Sequence, residues 1–194
     1  MNSQQLYAII LAAGKSVRFG SLKQLTLFDN KPLVSHAVAT AEKTCQSNSI
    51  LVTGKNWRKV YNACGPIKGF HIHNSEYENG IASSIACGIK AVESIADAVL
   101  LLFCDQPLIS PNYLKKMIKT WDGSKKNIIA SSYEKITCPP VIFPRLYFRE
   151  LLELEGDKGG NSLLKKHTKF IIKLPCKEAM LDIDTPSDMN KINK

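Results

Sequence analysis

Short apolar runs alternate with longer amphipathic ones along the whole chain. Leu6–Leu11 (LYAIIL) has the pattern of a buried strand, and a glycine-containing loop follows it. Pro32–Cys45 carries apolar residues at helical spacing, with proline at the first turn. Ile50–Thr53 reads as a second strand, Trp57–Cys64 as a short helix and Phe70–His73 as a third strand. Ile81–Ile95 repeats apolar residues at three and four and predicts a helix. Ala98–Phe103 (AVLLLF) is a continuous apolar run, as expected of a strand covered on both faces. Pro111–Trp121 predicts a helix, Ile128–Ser131 and Val141–Phe143 strands, and Arg145–Glu153 and Asn161–His167 helices. Phe170–Leu174 predicts a strand, and Pro186–Ile192 a terminal helix.

Strands that alternate with helices require crossovers, and crossovers build a mostly parallel sheet with helices on both faces. The expected fold is therefore α/β, a three-layer α/β/α sandwich. At 194 residues, one domain spanning 1–194 is expected. Ligands in such sheets bind beyond the carboxyl ends of the strands. That rule directs attention to the segments after Leu11, Thr53, His73 and Phe103.

Composition narrows the classes. With 44% hydrophobic and 22% charged residues the chain can build a core, so whole-chain disorder is not expected. No apolar run reaches the roughly 18 residues of a membrane helix. The N-terminus lacks the basic start of a signal peptide. A soluble, cytoplasmic protein without a membrane partner is the expectation. The net charge of +9 favours anionic ligands. The lysines are scattered rather than gathered in a stripe, so nucleic acid is not the expected partner. Six cysteines form no C-x-x-C pair, which leaves them as small apolar residues rather than metal ligands. The four histidines form no ligand-like cluster.

The loop Leu11–Leu25 (LAAGKSVRFGSLKQL) holds the first candidate chemistry. Leu11 ends the strand, and Ala12, Ala13 and Gly14 are small enough for a ligand to approach the backbone N–H groups. Arg18 and Lys23 add mobile positive charge, and Gly20 lets the chain fold back. A basic surface loop has the same composition, and neither G-K-[ST] nor G-x-G-x-x-G is present. Position after a buried first strand favours a nucleotide site. Asp105 follows the most apolar strand, where a carboxylate needs a partner: a helix N-terminus, a lysine or a divalent cation. Mg²⁺ suits one or two carboxylates together with phosphate oxygens. Asp157 is flanked by glycine in Gly156–Gly160 and reads either as a turn or as a site residue. Asp182 and Asp184 alternate on one strand face, yet Asp184-Thr185-Pro186 also fits a helix N-terminus. Ser83 and Ser84 stand near the start of a helix, where hydroxyls serve as caps or as ligand contacts.

Taken in order, these segments resemble a known family. L-A-A-G-x-S-x-R-x-G and K-Q-L are similar to the signature loop of the MobA-like nucleotidyltransferases. K-P-L (Lys31–Leu33), Asn79–Ile89, L-L-L-F-C-D-Q-P (Leu100–Pro107), P-P-V-I-F (Pro139–Phe143), G-D-K-G-G (Gly156–Gly160) and D-I-D-T-P-S-D (Asp182–Asp188) follow in the family's order. Within that superfamily the chain most resembles the molybdenum cofactor cytidylyltransferases. The resemblance implies a Rossmann-like sheet of the nucleotide-diphospho-sugar transferase kind. It implies a Mg²⁺-dependent enzyme that transfers CMP from CTP to a molybdopterin-type phosphorylated acceptor and releases pyrophosphate. The product would be molybdopterin cytosine dinucleotide, and a molybdenum hydroxylase apoenzyme is an implied partner.

Arg18, Lys23 and Asp105 would be catalytic. Leu11, Ala12, Ala13, Gly14, Arg18, Lys23, Ser83, Ser84, Asp105 and Gln106 would bind the nucleotide, with Ala13 and Gln106 pointing to cytosine. Asp105, Asp157 and Asp184 are the implied metal ligands. The chain departs from the family at Thr137-Cys138-Pro139-Pro140 and at Gly160-Asn161, where the second substrate should lie. Two other readings remain: the same chemistry on a sugar or alcohol phosphate, and a non-catalytic maturation factor that binds and delivers the cofactor.

Overall fold

The first strand, β1 (Leu6–Ala12), is buried at all seven residues, because sheet and helices cover it on every side. The computed structural model describes residues 4–14, 16, 19–183 and 185–188. After β1, a small hairpin of β2 (Leu27–Phe28) and β3 (Lys31–Pro32) leads into α1 (Leu33–Cys45). β4 (Ser49–Thr53), α2 (Trp57–Ala63) and β5 (Phe70–His73) complete the first half, followed by α3 (Ile81–Lys90) and β6 (Ala98–Phe103). The second half contains α4 (Pro111–Trp121), β7 (Ile128–Tyr133), β8 (Ile136–Pro144), α5 (Phe148–Leu152), α6 (Asn161–Lys166) and β9 (Ile171–Pro175).

Seven strands form one sheet in the order β5-β4-β1-β6-β8-β7-β9. β1 pairs in parallel with β4 and β6, and β4 with β5. β8 runs antiparallel to both of its neighbours, and β7 pairs in parallel with β9. The mostly parallel, helix-flanked sheet expected from the sequence is thus observed. Strand alternation divides the core in two. Ala8 and Ile10 of β1 pack with α1, α2 and α4 through Val34, Val60 and Leu114. Ile9 and Leu11 pack on the other side with α3, α5 and α6 through Ile85, Leu151 and Leu163. Each fully buried aliphatic side chain contributes roughly 1.5–3 kcal/mol relative to exposure. Burial on both faces therefore makes the carboxyl ends of β1 and β6 a rigid platform.

The helix predicted over Ile81–Ile95 ends as an α-helix at Lys90. Beyond it the N–H of Val92 bonds to the Ile89 carbonyl and that of Ile95 to Val92, which are three-residue turns. Val92 and Ala96 stay buried, so the apolar spacing persists after the helix has stopped. Arg145–Tyr147 is likewise a 3₁₀ turn that precedes α5. Of the predicted terminal helix, Pro186–Asp188 forms a 3₁₀ turn and the remainder lies outside the described residues. No described helix is long and apolar enough to cross a membrane.

Candidate active site

Beyond the carboxyl ends of β1 and β6 lies a cleft of about 830 Å³. Leu11, Ala13, Gly14, Ser16, Phe19 and Lys23 of the signature loop line one wall, and Phe103, Cys104 and Asp105 line the floor. Tyr77–Ile81 and Ser84 form the opposite wall, together with Gly156 and Asp157.

Lys23 and Asp105 are 82 positions apart in sequence and meet across this cleft. Nζ of Lys23 donates to Oδ2 of Asp105 at 2.7 Å, and their side chains are only 14% and 17% exposed. The pair is held from both ends. Lys23 opens a 3₁₀ turn, Lys23–Leu25, whose main chain is tied to the Ser16 hydroxyl. Asp105 stands just past β6, and its carbonyl accepts the N–H of Ile183 at 3.0 Å. Among the described lining residues Lys23 is the basic side chain, against Glu78, Asp105 and Asp157.

The far wall depends on Gly80, whose φ is +90°. A Cβ there would lie 2.3 Å from the Gly156 carbonyl oxygen and 2.8 Å from Oδ1 of Asp157. The same carbonyl accepts the N–H of Ala82 at 3.1 Å, so the Gly156–Asp157 loop is seated on the start of α3. Gly80→Ala should lose roughly 1–3 kcal/mol of stability, from the left-handed backbone and the displaced loop together. Urea unfolding would read this as a lowered midpoint at an unchanged slope.

The sequence-predicted residues divide by position. Leu11, Ala13, Gly14, Lys23, Ser84, Asp105 and Asp157 line the cleft. Ala12 lies beneath it, with its carbonyl taken by Gln24. Ser83 belongs to the turn that starts α3: its hydroxyl is 2.8 Å from the Glu76 carbonyl and 2.9 Å from that of Gly80. Gln106 turns away from the cleft, and its Nε2 donates to the carbonyls of Ala179 and Pro139 at 3.0 and 3.3 Å. Asp182 is exposed, whereas Arg18 and Asp184 lie outside the described residues. Burial pushes the Cys104 thiol well above its ordinary pKa and so keeps it protonated, unsuited to act as a nucleophile.

Uncharged residues complete the walls of the cleft. Asn74 is buried, and its Nδ2 donates to the hydroxyls of Ser83 and Ser84 at 2.9 and 3.0 Å. Its Oδ1 accepts the N–H of Glu76, which fixes the wall ahead of α3. Tyr77 packs against Gly54, where a Cβ would stand 2.7 Å from the ring and from the Ala13 carbonyl. Gln24 anchors the signature loop. In the sequence Asn74 follows the strand end at His73 and Gln24 is the middle residue of K-Q-L, but the pattern does not show what their amides bond to.

The donor set fits a hard cation. Among the described residues no group of three or more His, Cys, Asp or Glu could hold a metal ion. The cleft instead offers the separate carboxylates of Asp105 and Asp157. Mg²⁺ is commonly held in this way, by one or two carboxylates with substrate phosphates and water.

The family profile of the MobA-like NTP transferase domain matches residues 8–170, well over half of the chain. The chain belongs to the MobA-like NTP transferase family. It is similar to the purine catabolism protein PucB of Bacillus subtilis, at 25% identity over 205 aligned positions covering 100% of this chain and 98% of that protein. It is also similar to the molybdenum cofactor cytidylyltransferase of Escherichia coli, at 23% identity, covering 93% of this chain and 91% of the relative. Among solved structures, Rv0371c of Mycobacterium tuberculosis superposes with a TM-score of 0.80 at 25% identity, covering 98% of each chain. A manganese complex of that protein superposes equally well, at 0.80 and 23% identity, again covering 98% of each chain. The expected nucleotide-diphospho-sugar transferase-like fold is thereby borne out.

Proposed function

We propose that this nucleotidyltransferase transfers CMP from CTP to the molybdenum–molybdopterin cofactor, forming molybdopterin cytosine dinucleotide and pyrophosphate. One observation carries the reading: the lysine of the signature loop and the aspartate at the end of β6 meet at 2.7 Å in the cleft. A triphosphate and its metal ion need just such a cation and anion side by side. The likeness to the molybdenum cofactor cytidylyltransferase of Escherichia coli and the L-A-A-G and D-Q-P motifs support the choice of CTP and of acceptor.

Leu11, Ala13, Gly14 and Ser84 border the bound nucleotide, and loop N–H groups point at its phosphates. Lys23 and Arg18 neutralise the triphosphate. Ala12 and Ser83 shape the pocket indirectly, through their bonds to Gln24 and Asn74, whereas Gln106 lies outside it on the carbonyls of Ala179 and Pro139. Asp105 would hold Mg²⁺, with Asp157 and Asp184 as further candidate ligands, and the bound ion would supply positive charge to the reacting phosphates. An oxygen of the acceptor's terminal phosphate forms the new bond to the α-phosphorus of CTP. The bond from that phosphorus to the β-phosphate bridging oxygen breaks, and its electron pair leaves with pyrophosphate. Positioning and charge stabilisation supply the acceleration without a protein nucleophile. A molybdenum hydroxylase apoenzyme is the proposed recipient of the product.

Pyrophosphate release over a panel of nucleotides and acceptors tests the reading. CTP should exceed GTP by at least about 10-fold in kcat/KM, as expected where a site is built around one base edge. Equal or better use of GTP would contradict the base assignment. Faster turnover with a sugar or alcohol phosphate would contradict the acceptor. Binding without any pyrophosphate would mark a carrier instead of an enzyme.

A further inference from the structure

Gln24 is 3% exposed, yet it adjoins a cleft open to solvent. A buried amide costs free energy unless its donors and acceptor are satisfied. Here they are spent on one loop. Nε2 donates to the Ala12 carbonyl at 3.1 Å and to the Gly14 carbonyl at 2.7 Å. Oε1 accepts the Ser16 hydroxyl at 3.2 Å, and the same hydroxyl accepts the N–H of Lys23 at 3.1 Å. The bonds form a closed circuit from the end of β1 through the signature loop to the lysine.

We propose that Gln24 is a positioning residue for the nucleotide's phosphates. It holds loop carbonyls on its own side, so that loop N–H groups face the cleft, and it keeps Lys23 in register with them. The proposal rests on the nucleotide-binding reading given above.

Peptide geometry supplies the reason. In a trans peptide the C=O and N–H point in opposite directions. Drawing the Ala12 carbonyl towards Gln24 therefore aims the N–H of Ala13 the other way, and Ala13 lines the cleft. Gly14 has no side chain, and a Cβ built on it would meet nothing within 4 Å, so packing does little to fix its peptide. Once the amide is lost, both carbonyls can turn towards the cleft, where their partial negative charge repels phosphate. Glutamate has the shape of glutamine but no donor when ionised, and methionine fills a similar volume with no donor at all.

Calorimetric titration with cytidine, CMP, CDP and CTP in the presence of Mg²⁺ tests this role. Gln24→Met and Gln24→Glu should weaken CTP and CDP binding by at least about 10-fold, since two hydrogen bonds that orient the loop are lost. Cytidine binding should stay unchanged, and KM for CTP should rise while KM for the acceptor does not. Ser16→Gly keeps the amide–carbonyl bonds and removes the hydroxyl that joins Oε1 of Gln24 to the N–H of Lys23. It should show a smaller loss with the same dependence on phosphate number. A lowered melting temperature with unaltered CTP affinity would reduce Gln24 to a structural role and overturn the proposal. So would equal losses for cytidine and CTP. The nucleotide reading itself fails separately, if the unsubstituted protein binds CTP no more tightly than cytidine.

Discussion

Asp105→Asn is expected to leave the fold intact and to lower turnover at least about 10²-fold, the scale of removing a major electrostatic stabiliser. The substitution keeps the shape of the side chain and removes its charge. Two functions go with that charge: the ion pair that orients Lys23 and the hard oxygen ligand offered to a divalent cation. The Asp105 carbonyl that accepts the N–H of Ile183 belongs to the backbone and survives. The strand end is therefore expected to persist. Pyrophosphate release at saturating Mg²⁺, read beside a circular dichroism melt, checks both halves of the expectation. Near-normal turnover would remove Asp105 from the metal site.

Lys23→Ala is expected to reduce kcat/KM for CTP by about 10-fold to 150-fold, the loss of one charge-assisted contact to phosphate. The reduction grows if the contact strengthens in the transition state. Lys125→Ala is the control. That lysine is exposed and should shift stability by no more than about 0.5 kcal/mol, with catalysis unchanged. A second measurement moves in the opposite direction. Nζ of Lys23 donates to Oδ2 of Asp105, an oxygen that a cation also needs. Lys23→Ala should accordingly bind free Mn²⁺ more tightly by electron paramagnetic resonance while using CTP less well. Weakened metal binding and weakened turnover together would indicate general disruption of the cleft.

The hydrophobic pattern discloses the elements with a continuous or one-faced apolar burial. β1 and β6 are continuous apolar runs, and both lie at the centre of the sheet. α4 was equally clear, since Ser110 caps it, Pro111 opens it and Leu114, Met117 and Trp121 share its buried face. The hairpin of β2 and β3 was not, because two-residue strands carry no periodicity. β8 extends back to Ile136 through Pro139 and Pro140, residues that argue against an interior strand. Its antiparallel direction follows from the hairpin with β7, a tertiary fact that the apolar pattern of Val141–Phe143 does not encode.

At the site, the sequence announces the charged residues but not what the amides bond to. Lys23 and Asp105 could each be named from chain position, but only the parallel pairing of β1 with β6 brings them together. Gln106 adjoins Asp105 in sequence and still faces the other way, drawn by the carbonyls of Ala179 and Pro139. Gln24 and Asn74 act through backbone carbonyls, an N–H and hydroxyls, partners that a one-dimensional pattern does not display.

Mass spectrometry of the pterin product tests the central claim most directly. The purified protein would be incubated with CTP, Mg²⁺ and molybdenum–molybdopterin cofactor, and the released pterin compared with the starting cofactor. The account predicts a pterin heavier by one cytidylyl group, with one pyrophosphate formed for each, and neither product with Asp105→Asn. An unmodified pterin, under conditions in which the protein does transfer CMP to another phosphorylated acceptor, would contradict it.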